Sequence, residues 1–246
     1  MRVTFLCPHL RIAGGVRAIL TYADRLAALG HDVTVVVPAK RRLKAWWRGL
    51  TGVGPDWIPG FRPRVGWTDH WRPERLPAGD AIVATAWQSA PVVAAAPAAC
   101  GAKFYLIQHY ESLYHGAAAR VDATYRLPLR KIVISGWLGD IMREKFGSPA
   151  ELSVTPVDPA LFAPAGPPDP RRVLMLHHEY AWKGVADGLD AFARVRARHA
   201  GLRLVGFGLK RPRGGDPYDE FHLNPPQPSL KRLYGDVHDA FRLAMD

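Results

Sequence analysis

Two short β-branched runs, residues 3–7 and residues 32–37 (DVTVVV), flank a stretch in which Val16, Ile19, Leu20, Ala23, Leu26 and Ala27 recur at helical spacing. A strand, a helix and a second strand in so short a span leave few folds open. The strands pair in parallel, the helix crosses over with a right hand, and helices cover both faces of the sheet. The expectation is therefore an open, doubly wound α/β sheet, with Gly30 placed to end the first helix. Gly14 and Gly15 fall between the first strand and that helix, at the carboxyl end of the sheet. Such sheets bind ligands there, and helix N–H groups there face an anion. Positive φ in a tight turn, or close helix packing, would equally call for glycine at these positions. Their spacing is not G-x-G-x-x-G, so a dinucleotide site is not supported.

The rest of the composition narrows the class. The 246 residues, 48% hydrophobic and 22% charged, suit a globular chain with a sizeable core. Cys7 and Cys100 are the only cysteines, so neither a disulfide framework nor a cysteine-based metal site is expected, which suits a reducing cytoplasm. The run between Arg2 and Pro8 is too short for the apolar core of a signal peptide. Residues 81–100 carry no charge and are long enough to span a bilayer, but they contain Gln88, Ser89, Pro91 and Pro97. A strand followed by a proline-interrupted helix is the better reading.

A net charge of +11 raises the question of partners. The basic residues are dispersed and no helix-turn-helix, zinc-finger or RRM signature occurs, so nucleic acid is not expected. The dense cluster is KRRLKAWWRGL, residues 40–50, where Leu43, Trp46, Trp47 and Leu50 stand at i, i+3, i+4 and i+7 with Lys40, Arg41, Lys44 and Arg48 around them. Trp46, Trp47, Lys44 and Arg48 are candidates for peripheral contact with an anionic membrane. The alternative is that the tryptophans cover the sheet and the cations are solvated.

Farther along, residues 51–77 read as an irregular region holding one short strand. Strands are expected at 81–86, 103–108 and 131–135, and a helix from Trp137 that stops at Gly147. The proline-dense stretch 156–172 reads as a linker, giving domains 1–165 and 166–246. Beyond it come a strand at 173–176, a helix at 183–199 and a strand at 202–205 leading to Gly206 and Gly208. On that helix Val185, Leu189, Phe192 and Val195 form the apolar stripe, and Asp190 and Arg194 can pair at i, i+4.

Nine pieces in order, AGGVRAIL, GHDVTVV, DAIVATAW, YLIQHYES, VISGWLGDIMREKFG, TPVDPALFAP, WKGVADGLDAF, RLVGFG and LKRLY, resemble the family-4 retaining glycosyltransferases across almost the whole chain. The resemblance implies the GT-B fold, an α/β pair of Rossmann-like domains of which the second is incomplete. It further implies transfer from a nucleotide-sugar donor to a glycan or lipid-linked acceptor, in cell-envelope polysaccharide biosynthesis at the cytoplasmic side of the membrane. The glycine loop would face the interdomain cleft. His109 corresponds to the family's catalytic-site histidine near the donor sugar. Gly14, Gly15, His178, Lys183, Gly206 and Gly208 correspond to positions at the donor phosphates or substrate. No metal or other cofactor is implied, although His109, Glu111 and His115 by themselves would also allow a metal site.

Departures from the pattern point the other way. His178 stands where the family usually has an arginine, and Thr155–Pro156 replace its Asn-Gly. No two glutamates stand at the E-x7-E spacing that holds the donor sugar and ribose in the family. A weakened transferase, or an inactive relative that serves as a binding module, are the two expectations.

Overall fold

The computed structural model describes all residues except 40, 41, 115–117, 156, 158–162, 164, 165, 209, 213, 214 and 224–246. His115, eight of the seventeen residues of the proline-rich stretch, Lys40, Arg41 and the LKRLY segment lie outside the described residues. The chain divides into two compact units, Met1–Pro156 and Val157–Asp246, ahead of the expected boundary at 165.

The first unit is a seven-stranded parallel sheet in the order β3-β2-β1-β4-β5-β6-β7. Its opening is the expected crossover: β1 (Arg2–Leu6), α1 (Gly14–Ala28) and β2 (Asp32–Pro38). β1 pairs with β2 from Arg2↔Asp32 to Leu6↔Val36. The next segments are α2 (Arg42–Leu50), β3 (Arg64–Thr68), β4 (Ala81–Ala84), α3 (Ala90–Ala94) and β5 (Ala102–Ile107). Then come α4 (Ala118–Tyr125), β6 (Arg130–Val133), α5 (Gly136–Phe146) and β7 (Ala150–Leu152). α4 and β7 are not legible in the sequence, being short and weakly periodic. The uncharged stretch 81–100 becomes β4 and α3, with Pro91 at the start of the helix, where its missing N–H costs nothing. Among the described residues no helix is long and apolar enough to cross a membrane.

The core lies between sheet and helices. Leu6, Ile82, Tyr105, Ile107, Val121, Tyr125, Leu138 and Met142 are all buried in one cluster. Part of the positive charge is absorbed by the architecture. Lys103 Nζ donates to Ala94 O and Ala96 O beyond α3, and the buried Lys131 donates to Leu127 O and Leu129 O beyond α4. Both lysines thus bind backbone carbonyls at or beyond a helix end, ahead of the next strand.

The second unit has β8 (Arg172–Leu176), α6 (Val185–Arg196), β9 (Arg203–Gly208) and β10 (Glu220–Leu223). The three strands are parallel in the order β10-β9-β8. Its core is small: Phe192, Leu204, Tyr218 and Phe221. The expected stripe on α6 is only partly used. Phe192 is buried but Val195 is 47% exposed, because the three described strands give the helix a narrow floor. Asp190 and Arg194 do pair, at 2.8 Å on the solvent side.

Candidate functional site

β1 and β4 are neighbours, while β2 and β3 run away on the other side of β1. The strand order therefore reverses between β1 and β4, and a doubly wound sheet opens a crevice at the carboxyl ends of such a pair. Two turns border this point. After β1, the Leu10 carbonyl accepts a 2.8 Å bond from the indole N–H of Trp57, a side chain only 1% exposed that reaches in from the irregular region. After β4, the buried Ser89 hydroxyl accepts from the N–H groups of Thr85 and Ala86 and donates to Ala86 O. Both turns are thus held by internal bonds.

Gly14 and Gly15 are the first two residues of α1 and both are exposed. Neither has positive φ. A methyl at Gly14 would meet nothing within 4 Å, and one at Gly15 would only touch Gln108 at an ordinary 3.6 Å. Neither a left-handed turn nor close packing therefore accounts for these glycines. The helix N-terminus is also bare: no side chain caps it, and its first turn holds no carboxylate. Its leading N–H groups, lacking partners four residues back, are available to an anion.

Gln108, at the end of β5, donates from Nε2 to Gly15 O at 3.2 Å and so ties that strand to the helix start. His109 follows, exposed, its ring edge-on to Tyr114 with centroids 4.5 Å apart. The neighbouring Glu111 is engaged in three hydrogen bonds. Its Oε2 accepts from the Trp87 N–H at 2.9 Å and the Tyr105 hydroxyl at 3.3 Å, while its own N–H donates to the Tyr125 hydroxyl at 3.0 Å. Burial, then the nearby Glu111 charge, keep the Tyr105 phenol well above its ordinary pKa, so it stays a donor. Glu111 thus clamps the turn after β4 to the loop after β5. Among the described residues no group of three or more His, Cys, Asp or Glu is placed to hold a metal ion.

In the second unit the strand-to-helix loop follows β8. His177 N donates to Phe207 O at 2.8 Å, and its Nδ1 lies 3.0 Å from the Tyr218 hydroxyl. His178 Nδ1 accepts a 3.0 Å bond from the Tyr180 N–H. The proton of the neutral ring then sits on Nε2, which becomes the ring's donor. Lys183 does not belong to the helix, contrary to the expected span of 183–199. It ends a three-residue 3-10 turn, Ala181–Lys183, and is exposed there. α6 begins after Gly184, whose φ of 68° explains that glycine without any ligand. Asp187 lies in the first turn of α6, so this helix start already has a carboxylate nearby.

Gly206 and Gly208 also have structural reasons. A methyl at Gly206 would stand 2.6 Å from Phe221 and Tyr218, and one at Gly208 2.5 Å from His177 O. The loop after β8 contains a feature that strand and helix periods do not reveal. His178, Tyr180 and Trp182 form a ring ladder with centroid steps of 4.5 and 4.3 Å, the last pair stacked at 15°. The alternate spacing of aromatic rings in HEYAW is its only trace in the sequence.

No protein-family model matches the chain, and no curated protein sequence matches it. Solved structures do. Anabaena HepE, solved in complex with UDP-glucose, superposes with a TM-score of 0.56 at 14% identity, over 100% of this chain and 67% of that one. The E. coli heptosyltransferase WaaC with ADP gives a TM-score of 0.36 at 16% identity, over 96% of this chain and 78% of that one, below the level of a shared fold. The likeness does not single out family 4. What it shows is the fold: the α/β architecture of the GT-B class, a Rossmann-like parallel-sheet domain followed by a second, smaller Rossmann-like unit.

Proposed function

We propose that this chain is a nucleotide-sugar-dependent glycosyltransferase. The observation that carries the reading is the start of α1. It is a bare helix N-terminus at the switch point of the sheet, opened by two glycines that neither backbone conformation nor packing requires. Such a place receives a phosphate or another anion on backbone N–H groups. On the second unit, the Nε2–H of His178 and the ammonium of Lys183 supply donors for a diphosphate. His109 would serve beside the donor sugar, and loss of one group that stabilises the departing charge costs about 100- to 1,000-fold in rate. Retention, hexosyl transfer, a glycan or lipid-linked acceptor, a place in cell-envelope polysaccharide synthesis and independence of metal are the finer parts of this proposal. They rest on the motif resemblance.

A second reading, a binding module without transferase activity, is favoured by one specific set of observations. The second unit puts Asp187 at its helix start and uses Gly184, Gly206 and Gly208 for backbone and packing reasons.

The two separate in calorimetry with UDP-, GDP- and dTDP-sugars, paired with Gly14→Asp and Lys183→Ala. An aspartate in the first turn of α1 should stabilise the protein by about 0.5–1 kcal/mol through the helix dipole, while lowering nucleotide-sugar affinity about tenfold or more by repulsion. Lys183→Ala should lower it too, without changing stability. Gly14→Asp with unchanged affinity would remove α1 from the site. Tight binding without sugar transfer to any acceptor would select the binding module.

A further inference from the structure

The transferase reading leaves α2 unexplained. An ordinary surface helix turns its bulky apolar stripe inward. α2 does the reverse. Among its described side chains only Ala45 is buried, whereas Leu43, Trp46, Trp47 and Leu50 are 75, 60, 62 and 66% exposed. Their spacing puts all four on one face of a helix about 13 Å long. The tryptophans therefore do not cover the sheet, which removes the alternative left open by the sequence. The helix is fixed rather than frayed at its end: the Thr51 hydroxyl donates to Trp47 O at 2.9 Å, and the Arg48 guanidinium lies 4.4 Å from the centre of the Trp67 ring on β3.

Charge decides what covers this face. From residue 39 to 55 the chain has five Lys and Arg and no Asp or Glu, in a protein of net charge +11. A second copy would bring the same cations against one another. A surface that is apolar underneath and anionic at its rim meets both demands. We infer that α2 docks Leu43, Trp46, Trp47 and Leu50 into the headgroup boundary of an anionic lipid bilayer, with the exposed Lys44 on the lipid phosphates and Arg48, held against Trp67, adding its charge behind the face. Tryptophan suits that depth, having an apolar ring and one polar N–H, and each cation near an anionic surface multiplies partition about fivefold. The contact lies on the membrane and does not span it. It stands independently of the transferase reading, since no donor-site residue takes part.

The test is co-sedimentation of the full chain with vesicles of phosphatidylcholine alone and of phosphatidylcholine mixed with phosphatidylglycerol. The protein should pellet with the anionic vesicles only and release substantially at high salt. Trp46→Ala with Trp47→Ala should lower partition at least about tenfold. Lys44→Glu should lower it by about fivefold or more. Because these side chains are exposed, the thermal midpoints of the variants should match the parent, which separates loss of docking from loss of fold. Equal partition of the double variant, or equal binding to the two vesicle types, would overturn the proposal. So would a concentration-dependent dimer in sedimentation velocity that the double variant abolishes, since the face would then belong to a second copy.

Discussion

α1 and α6 each follow the first strand of a unit and each has a glycine at its start, but the glycines answer to different forces. At α1, Gly14 faces open space and Gly15 stands at ordinary contact distance from Gln108, with no positive φ at either. At α6, Gly184 is held at φ 68°, and the glycines that close β9 lie against Tyr218, Phe221 and the His177 carbonyl. The start of α1 can spare its glycines structurally; the start of α6 and the end of β9 cannot. The first unit also has the larger core, so it can hold a bare helix end without help. A loss of binding after substitution at α1 therefore reports on the ligand, whereas the same loss after substitution at β9 reports on the fold.

The largest effect should come from Gly208→Ala. The added methyl would sit 2.5 Å from a backbone carbonyl that cannot move without breaking the β8–β9 pairing. A cost of about 3 kcal/mol is expected, large against a core of four main side chains. Hydrogen exchange should show fast amides in β8–β10 and unchanged protection in β1–β6. Protection that stays intact in β9 would break the contrast.

An intermediate effect is expected from Asp219→Asn. Asp219 accepts the Leu204 N–H at 2.7 Å and a two-pronged contact from Arg196, joining β9 to the end of α6. The bond from Leu204 N–H, with Arg196 beside it, holds the carboxyl below its ordinary pKa. A lowered pKa in the folded state means stability that is full above the unfolded pKa and fades as pH falls through the folded one. The variant should thus lose about 1 kcal/mol near neutrality. In thermal melts the gap to the parent should close in acid. A gap independent of pH would assign the effect to hydrogen bonding alone.

The smallest effect should come from Gly14→Ala. With open space and ordinary φ, alanine should be neutral or stabilise α1 by up to about 1 kcal/mol. Destabilisation measured by denaturant titration would mean that Gly14 has a structural task after all, and the contrast with α6 would lose its basis.

The strand-helix-strand alternation was legible because its causes are local: β-branched runs, a helical apolar period and glycine stops such as Gly147, which indeed takes φ 60°. So was the placement of Gly14, Gly15 and His109 at carboxyl ends of strands, which follows from connectivity alone. What these residues do there was not legible. Whether a glycine is needed by its own φ, by a neighbour or by neither depends on atoms far away in sequence, as with Gly206 against Tyr218 and Phe221. The same holds for Glu111, whose carboxylate accepts the N–H of Trp87 from a different turn of the sheet. Trp57 read as loop and is buried beneath the β1–α1 turn, whereas Trp46 and Trp47 kept their helical spacing but not an inward face. Periodicity states which residues share a face. Only the packed sheet decides whether that face has anything to cover it, because burial depends on the neighbours that long-range pairing supplies.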